Sequence, residues 1–123
     1  MAIAENISTK VAVYYEAMRD SDSERLKSVF SDHAMITGYM DGALVDMSIE
    51  QFADFVSSRN PSDKEKGAEE LLEIISCDIS GDTAVVKVRD SFIGRVFVDT
   101  LSFLKVEGEW KIFNKLFHIE TEK

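Results

Sequence analysis

Apolar residues in the opening stretch recur at spacings of three and four, namely Ile3, Ile7, Val11, Tyr14 and Met18. That spacing predicts an amphipathic helix over residues 4–19. Ser21 followed by Glu24 has the spacing of a capping box, so a short second helix is expected with Leu26, Val29 and Phe30 on its inner side. Residues 33–40 and 43–46 then alternate in part and are joined by Asp41-Gly42, a pair suited to a two-residue hairpin turn. A third helix follows. Ser48 and Gln51 repeat the capping box, Ile49, Phe52, Phe55 and Val56 form the stripe, and Asn60-Pro61 stops it. Residues 57–70 are polar and charged, the pattern of a solvated loop, and whether that loop is a lid over a pocket is left open.

Beyond this loop the period changes to two. Segments 69–79, 83–92, 95–106 and 109–120 are rich in Val, Ile, Phe and Thr and are separated by Gly81, Gly94 and Gly108. Helices followed by a long antiparallel meander predict an α+β domain with three N-terminal helices covering one face of a curved, mostly antiparallel sheet. At 123 residues the chain has the size of a single domain, residues 1–123.

Turn length decides which side chains face the helices, because a slip of one residue reverses them all. Gly94 and Gly108 fit three-residue loops, 92–94 and 106–108, since a two-residue loop would put Glu107 at positive φ. That choice pairs Ser91 with Arg95 and Lys105 with Glu109. One face then lines up Lys87, Asp99 and Lys115, with Phe97 opposite Phe117 and Leu101 opposite Phe113. The other carries Val86, Thr100 and Asn114, then Val88, Val98 and Leu116, then Leu104 and Trp110, and continues through Ala84, Ile75 and Cys77. The second face is assigned to the helices and a cavity, with His118 and Asp90 at its open end. The first is too apolar to face water, and Phe97, Leu101, Phe113 and Phe117 are expected to form a homodimer interface.

Charge and composition narrow the partners. A net charge of −9, from 23 acidic and 14 basic residues, repels phosphate backbones and anionic lipid, so neither nucleic acid nor a membrane surface is expected. The N-terminal residues MAIAENISTK lack the basic and apolar regions of a secretory signal, and a cytoplasmic location is expected. Cys77 is the single cysteine, which excludes an internal disulfide and a thiolate zinc site and suggests a small apolar filler. No histidine and carboxylate cluster has metal spacing, and there is no glycine-rich phosphate loop or serine elbow, so no metal or cofactor is expected.

Asp99-Thr100-Leu101, Lys105, Gly108, Trp110-Lys111-Ile112, Asn114-Lys115 and Phe117-His118 together resemble the putative lumazine-binding family of the nuclear transport factor 2-like superfamily. Tyr14-Tyr15-Glu16-Ala17 running into Asp22, Leu26, Phe30 and Ser31-Asp32-His33-Ala34 is similar to the superfamily's opening. The resemblance implies a cone, a strongly curved sheet wrapped around a helix with a cavity at the wide end, and dimers through the sheet's outer face. The superfamily includes ketosteroid isomerases, dehydratases and polyketide cyclases. Matched on the helix, Tyr14 falls where ketosteroid isomerases keep an oxyanion-stabilising tyrosine. Gly38 falls at their general-base aspartate, and Thr100 at their protonated aspartic acid. Without that base the isomerase mechanism is not expected.

Two functional readings follow. In the first the protein is a small-molecule-binding domain whose cavity, lined by Tyr14, Val86, Thr100, Trp110, Asn114 and His118, takes an aromatic or heterocyclic, pterin-like ligand. The alternative is a cofactor-free lyase or isomerase of dehydratase or cyclase type. There His118 is the acid or base, Asp90 orients it, and the Tyr14 hydroxyl polarises a carbonyl. A strand-end histidine and a packed core tyrosine account for the same residues without chemistry, so catalysis stays open, as does a dimeric module with no ligand.

Overall fold

The computed structural model describes residues 2–122, with side chains from 6 to 120. Its elements are α1 (Ala2–Asp20), α2 (Ser23–Lys27), β1 (Phe30–Met40), β2 (Ala43–Ser48), α3 (Ile49–Ser57), β3 (Leu72–Ser80), β4 (Thr83–Phe92), β5 (Arg95–Val106) and β6 (Glu109–Glu122). The strands form one sheet in the order β2-β1-β6-β5-β4-β3. β1 runs parallel to β6, and the other pairings are antiparallel. This is the α+β architecture expected from the helix-then-meander pattern.

Helix α1 lies on β4 and β6 and buries Ile7, Val11, Tyr14, Ala17 and Met18, the stripe read from its spacing. Ile3 belongs to that stripe in sequence, but its side chain lies outside the described ones. Tyr15 is buried as well, at the flank of the stripe. The capping box of α3 forms as written, with Ser48 Oγ accepting from the Gln51 amide at 3.2 Å and Gln51 returning the bond at 2.9 Å. The cap of α2 is one residue later than expected. Asp22 accepts from the Arg25 amide at 3.1 Å, while Ser21 takes φ 55° in the turn out of α1.

The main correction is to register. Both late hairpins close with two residues, Phe92 pairing with Arg95 and Val106 with Glu109. Ile93 and Gly94 sit at φ 47° and 77°, Glu107 and Gly108 at 51° and 81°, the double positive φ of a tight primed turn. Placing a non-glycine residue there costs roughly 1–2 kcal/mol. The return is larger. This register sends Phe97, Leu101 and Phe103 of β5 into the core, and burying each such side chain stabilises by about 1.5–3 kcal/mol.

A bulge in β6 completes the inversion. Ser102 pairs with Asn114 but Phe103 pairs with Ile112, which leaves Phe113 as the extra residue. Trp110 and Ile112 before the bulge and Lys115 and Phe117 after it are therefore all buried on the helix side. Phe97, Leu101 and Phe117, expected at a dimer interface, are 5%, 0% and 8% exposed within the chain's own core. Phe113 is half-buried at the bulge. Thr100, Asn114 and His118, expected in the cavity, stand on the opposite side of the sheet, with His118 exposed. Strand β3 is an exposed edge, so Ile75 and Cys77 do not reach the helices either.

Candidate active site

A cavity of about 240 Å³ opens between α1, α3, the β1–β2 hairpin and the concave face of the sheet. Met18 comes from α1, Ile36 and Met40 from β1, Val45 and Met47 from β2, and Phe52 and Phe55 from α3. The sheet contributes Phe92, Phe97 and Phe117 together with two polar side chains, Asp90 and Lys115. Those two are the polar groups on an otherwise apolar wall.

The period-two pattern of β4 explains Asp90. Ala84, Val86, Val88, Asp90 and Phe92 are successive inward positions, so the carboxyl stands within a core row and is 1% exposed. Asp99 occupies the same face of β5 at 0% exposure, between Phe97 and Leu101. Lys115 faces inward from β6 because of the Phe113 bulge and is 5% exposed.

These groups form one connected cluster. The Tyr14 hydroxyl donates to Asp99 Oδ2 at 2.8 Å, and Lys115 Nζ stands 4.0 Å from the same oxygen. Around the lysine nitrogen are the Met18 sulfur at 3.9 Å and the ring faces of Phe52 and Tyr14, with centroids at 4.5 and 4.9 Å. Burial holds the Asp90 carboxyl well above the usual carboxylate range. The charge of Asp99 and a hydrogen bond shared with it add to that, while Lys115 pulls the other way. With both groups as carboxylates, neither Asp90 oxygen nor Asp99 Oδ1 would meet a donor. One proton on Asp90, donated toward Asp99, would account for two of these three oxygens. Tyr14 is likewise pushed above the ordinary phenol value, first by burial and then by the charges of Asp99 and Asp90, so it remains a donor.

The cavity rim is anchored by the 57–70 segment. Asp63 Oδ2 accepts from the Ile93 amide at 2.9 Å, and Ile93 lines the cavity. Arg19 Nη1 donates to the Ala68 carbonyl at 2.7 Å, the Lys64 amide to the Arg19 carbonyl at 3.1 Å, and the Leu71 amide to the Tyr15 hydroxyl at 3.0 Å. Across the mouth, Arg95 Nη2 meets Asp41 Oδ1 at 3.0 Å and ties the β4–β5 turn to the β1–β2 turn. The loop is thus bound to α1 and to the rim.

Of the three side chains expected to do chemistry, Asp90 lines the cavity and Tyr14 lies directly behind its wall, while His118 is outside. Val86 and Trp110 are buried in the core, at 0% and 1%, and do not line the cavity. Asp99, not Thr100, is the acid that meets Tyr14. Gly38 has no room for a side chain, since a Cβ there would lie 2.4 Å from the Phe117 carbonyl oxygen and 2.8 Å from its ring. Asp99 and Lys115 were legible as a cross-strand pair of opposite charge. The signal that would have turned them inward was the larger apolar area of their own face. Among the described residues no group of three His, Cys, Asp or Glu side chains is placed to hold a metal, and no helix is long and apolar enough to cross a membrane.

The geometry agrees with what the chain is similar to. The sequence profile of the putative lumazine-binding family matches residues 2–118. The chain is 33% identical over 107 residues to an aldolase of Cladobotryum sp, FrzH, covering 85% of this chain and 82% of that one. It is similar in structure to an NTF2-like protein of unknown function from Silicibacter pomeroyi, with TM-score 0.88, 25% identity and 97% of both chains covered. It is also similar to one from Methylobacillus flagellatus, with TM-score 0.87, 26% identity and coverage of 98% of this chain and 94% of that one. The three N-terminal helices on a curved six-stranded sheet, the cavity they enclose and the profile match together make this chain a member of the putative lumazine-binding family, with the nuclear transport factor 2-like fold.

Proposed function

We propose that the cavity binds a small, mainly apolar carbonyl compound and that Asp90 moves a proton on it, making the protein a cofactor-free lyase of aldol type. The observation that carries this reading is a buried carboxyl, raised above the ordinary carboxylate value by its burial, lining an apolar cavity together with a buried lysine. A carboxyl raised in this way holds its proton to higher pH than an ordinary one and is the kind of group that can give and take a proton at a reacting carbon. Tyr14 and Asp99 are positioning residues, since they stand behind Asp90 and Lys115 and fix the charge around them. The similarity to an aldolase supports the bond type.

A pterin-like ligand suits this wall less well. Such a ring carries polar atoms around much of its edge, and burying them against two polar groups leaves most without partners. A ketone or aldehyde with an apolar body has one oxygen to satisfy. Dimerisation through the outer sheet face is retained in this proposal, with Val85 and Leu116, 49% and 52% exposed, in place of the aromatic row now assigned to the core.

The test does not require the natural substrate. The protein is incubated in heavy water with ketones and aldehydes ranging in size from cyclohexanone to phenylacetone, and deuterium entry beside the carbonyl is followed by NMR. Wild type is expected to exchange at least roughly a hundredfold faster than Asp90→Asn, the usual contribution of a positioned acid or base. Exchange that is no faster than in Asp90→Asn for every compound shown to bind would leave a binding domain without this chemistry.

A further inference from the structure

Lys115 is more than the counter-charge of Asp99. Its buried side chain lines the cavity, and the carboxylate neighbour of its nitrogen at 4.0 Å is beyond hydrogen-bond reach. Its other neighbours are a thioether sulfur at 3.9 Å and two ring faces, none of which is a carboxylate bonded to the nitrogen. The adjoining cavity surface is apolar, the setting in which an imine is protected from water. Asp90 lines the same cavity.

Resting on the carbonyl-compound reading above, we propose that Lys115 is a catalytic residue that binds the substrate covalently, as an iminium between Nζ and the carbonyl carbon. The Lys115 side chain first closes its 4.0 Å gap to Asp99 to hydrogen-bond length, the ammonium gives a proton to the Asp99 carboxylate, and the free amine attacks the carbonyl carbon. As the C–N bond forms, the carbonyl π pair moves to oxygen, which takes the proton held by Asp90. Asp90 then removes a proton from the attached nitrogen. The hydroxyl leaves as water with the proton returned from Asp99, and the nitrogen lone pair forms the C=N bond. The sum is one ammonium and one carbonyl converted to one iminium and one water, with both acids restored. The iminium accepts the electron pair released when a neighbouring C–H or C–C bond breaks, and Asp90 is placed to return a proton to that carbon.

The full-length protein is treated with pentane-2,4-dione, a 1,3-diketone that forms a stable ultraviolet-absorbing enaminone with reactive amines. A second sample receives butanal with cyanoborohydride, which reduces an iminium to a secondary amine. Peptide mass mapping then locates the label. The expected result is labelling of Lys115 ahead of the surface lysines, with loss of the enaminone band in Lys115→Met and in the charge-preserving Lys115→Arg. Surface lysines labelled while Lys115 stays unmodified would overturn the covalent step. The heavy-water experiment separates the two levels of argument. Exchange in wild type that persists in Lys115→Arg rejects the iminium and keeps Asp90, whereas no Asp90-dependent exchange in wild type removes the reading on which the iminium rests.

Discussion

The Tyr14 hydroxyl and Asp99 Oδ2 are 2.8 Å apart, joining the first helix to the fifth strand across a sequence separation of 85. Both side chains are fully buried. The phenol is the hydrogen-bond donor that Asp99 Oδ2 meets, while Asp99 Oδ1 meets none among the described residues. Removing it in Tyr14→Phe leaves a buried acid short of a donor, and the expected loss of stability is about 1–3 kcal/mol. Urea unfolding of the variant checks this, and an unchanged midpoint would show that Asp99 finds another donor.

Asp90 sets a pH dependence. The charged groups facing it are Asp99 from β5 and Lys115 from β6, with the Tyr14 hydroxyl from α1. Its value in the folded state lies above the ordinary carboxylate value of about 3.9. Between those two values the native state holds more protons than the unfolded chain, so stability falls as pH rises through that window. Asp90→Asn cannot ionise. It is expected to match the wild type at the acid end and to become the more stable of the two as pH increases, measured as unfolding midpoints across a pH series. Parallel curves for the two proteins would place no titration at Asp90.

Gly38 lets β1 close against Phe117. Since a Cβ there would lie 2.4 Å from a backbone oxygen, Gly38→Ala forces the strands apart or rotates the Phe117 ring that lines the cavity. A destabilisation of about 1–3 kcal/mol is expected from the overpacking, together with weaker uptake of a fluorescent apolar probe. Thermal unfolding and probe titration test the two consequences separately. Normal stability would mean that β1 and β6 yield more easily than the close packing suggests.

Glu107 is exposed and sits at φ 51° in the β5–β6 turn. Asparagine tolerates that region better than glutamate. Glu107→Asn is therefore expected to stabilise by roughly 0.5–1 kcal/mol without touching the cavity, because it relieves backbone strain at an exposed position. A lower melting temperature in the variant would argue against the tight primed turn.

The hydrophobic periods by themselves determined the order of elements, the helix stripe through Tyr14, the α3 capping box and the inward side of β4 that carries Asp90. These are local properties, set by periods of 3.6 and 2 and by side chains that bond within one turn of their own backbone. The faces of β5 and β6 were another matter. Turn sterics favoured one register and apolar area the other, and only the assembled sheet shows that burying Phe97, Leu101 and Phe103 outweighs positive φ at Ile93 and Glu107. The bulge at Phe113 has no local signature, because it exists only through its mismatch with β5. That one extra residue turns Lys115 inward beside Asp99 and Asp90 and sends Asn114 and His118 to the other face. The residue types of the site were therefore written in the chain, whereas their meeting in one cavity was decided by the register of β4, β5 and β6 and by the packing of α1 on them, which brings together Tyr14 and Asp99, 85 positions apart.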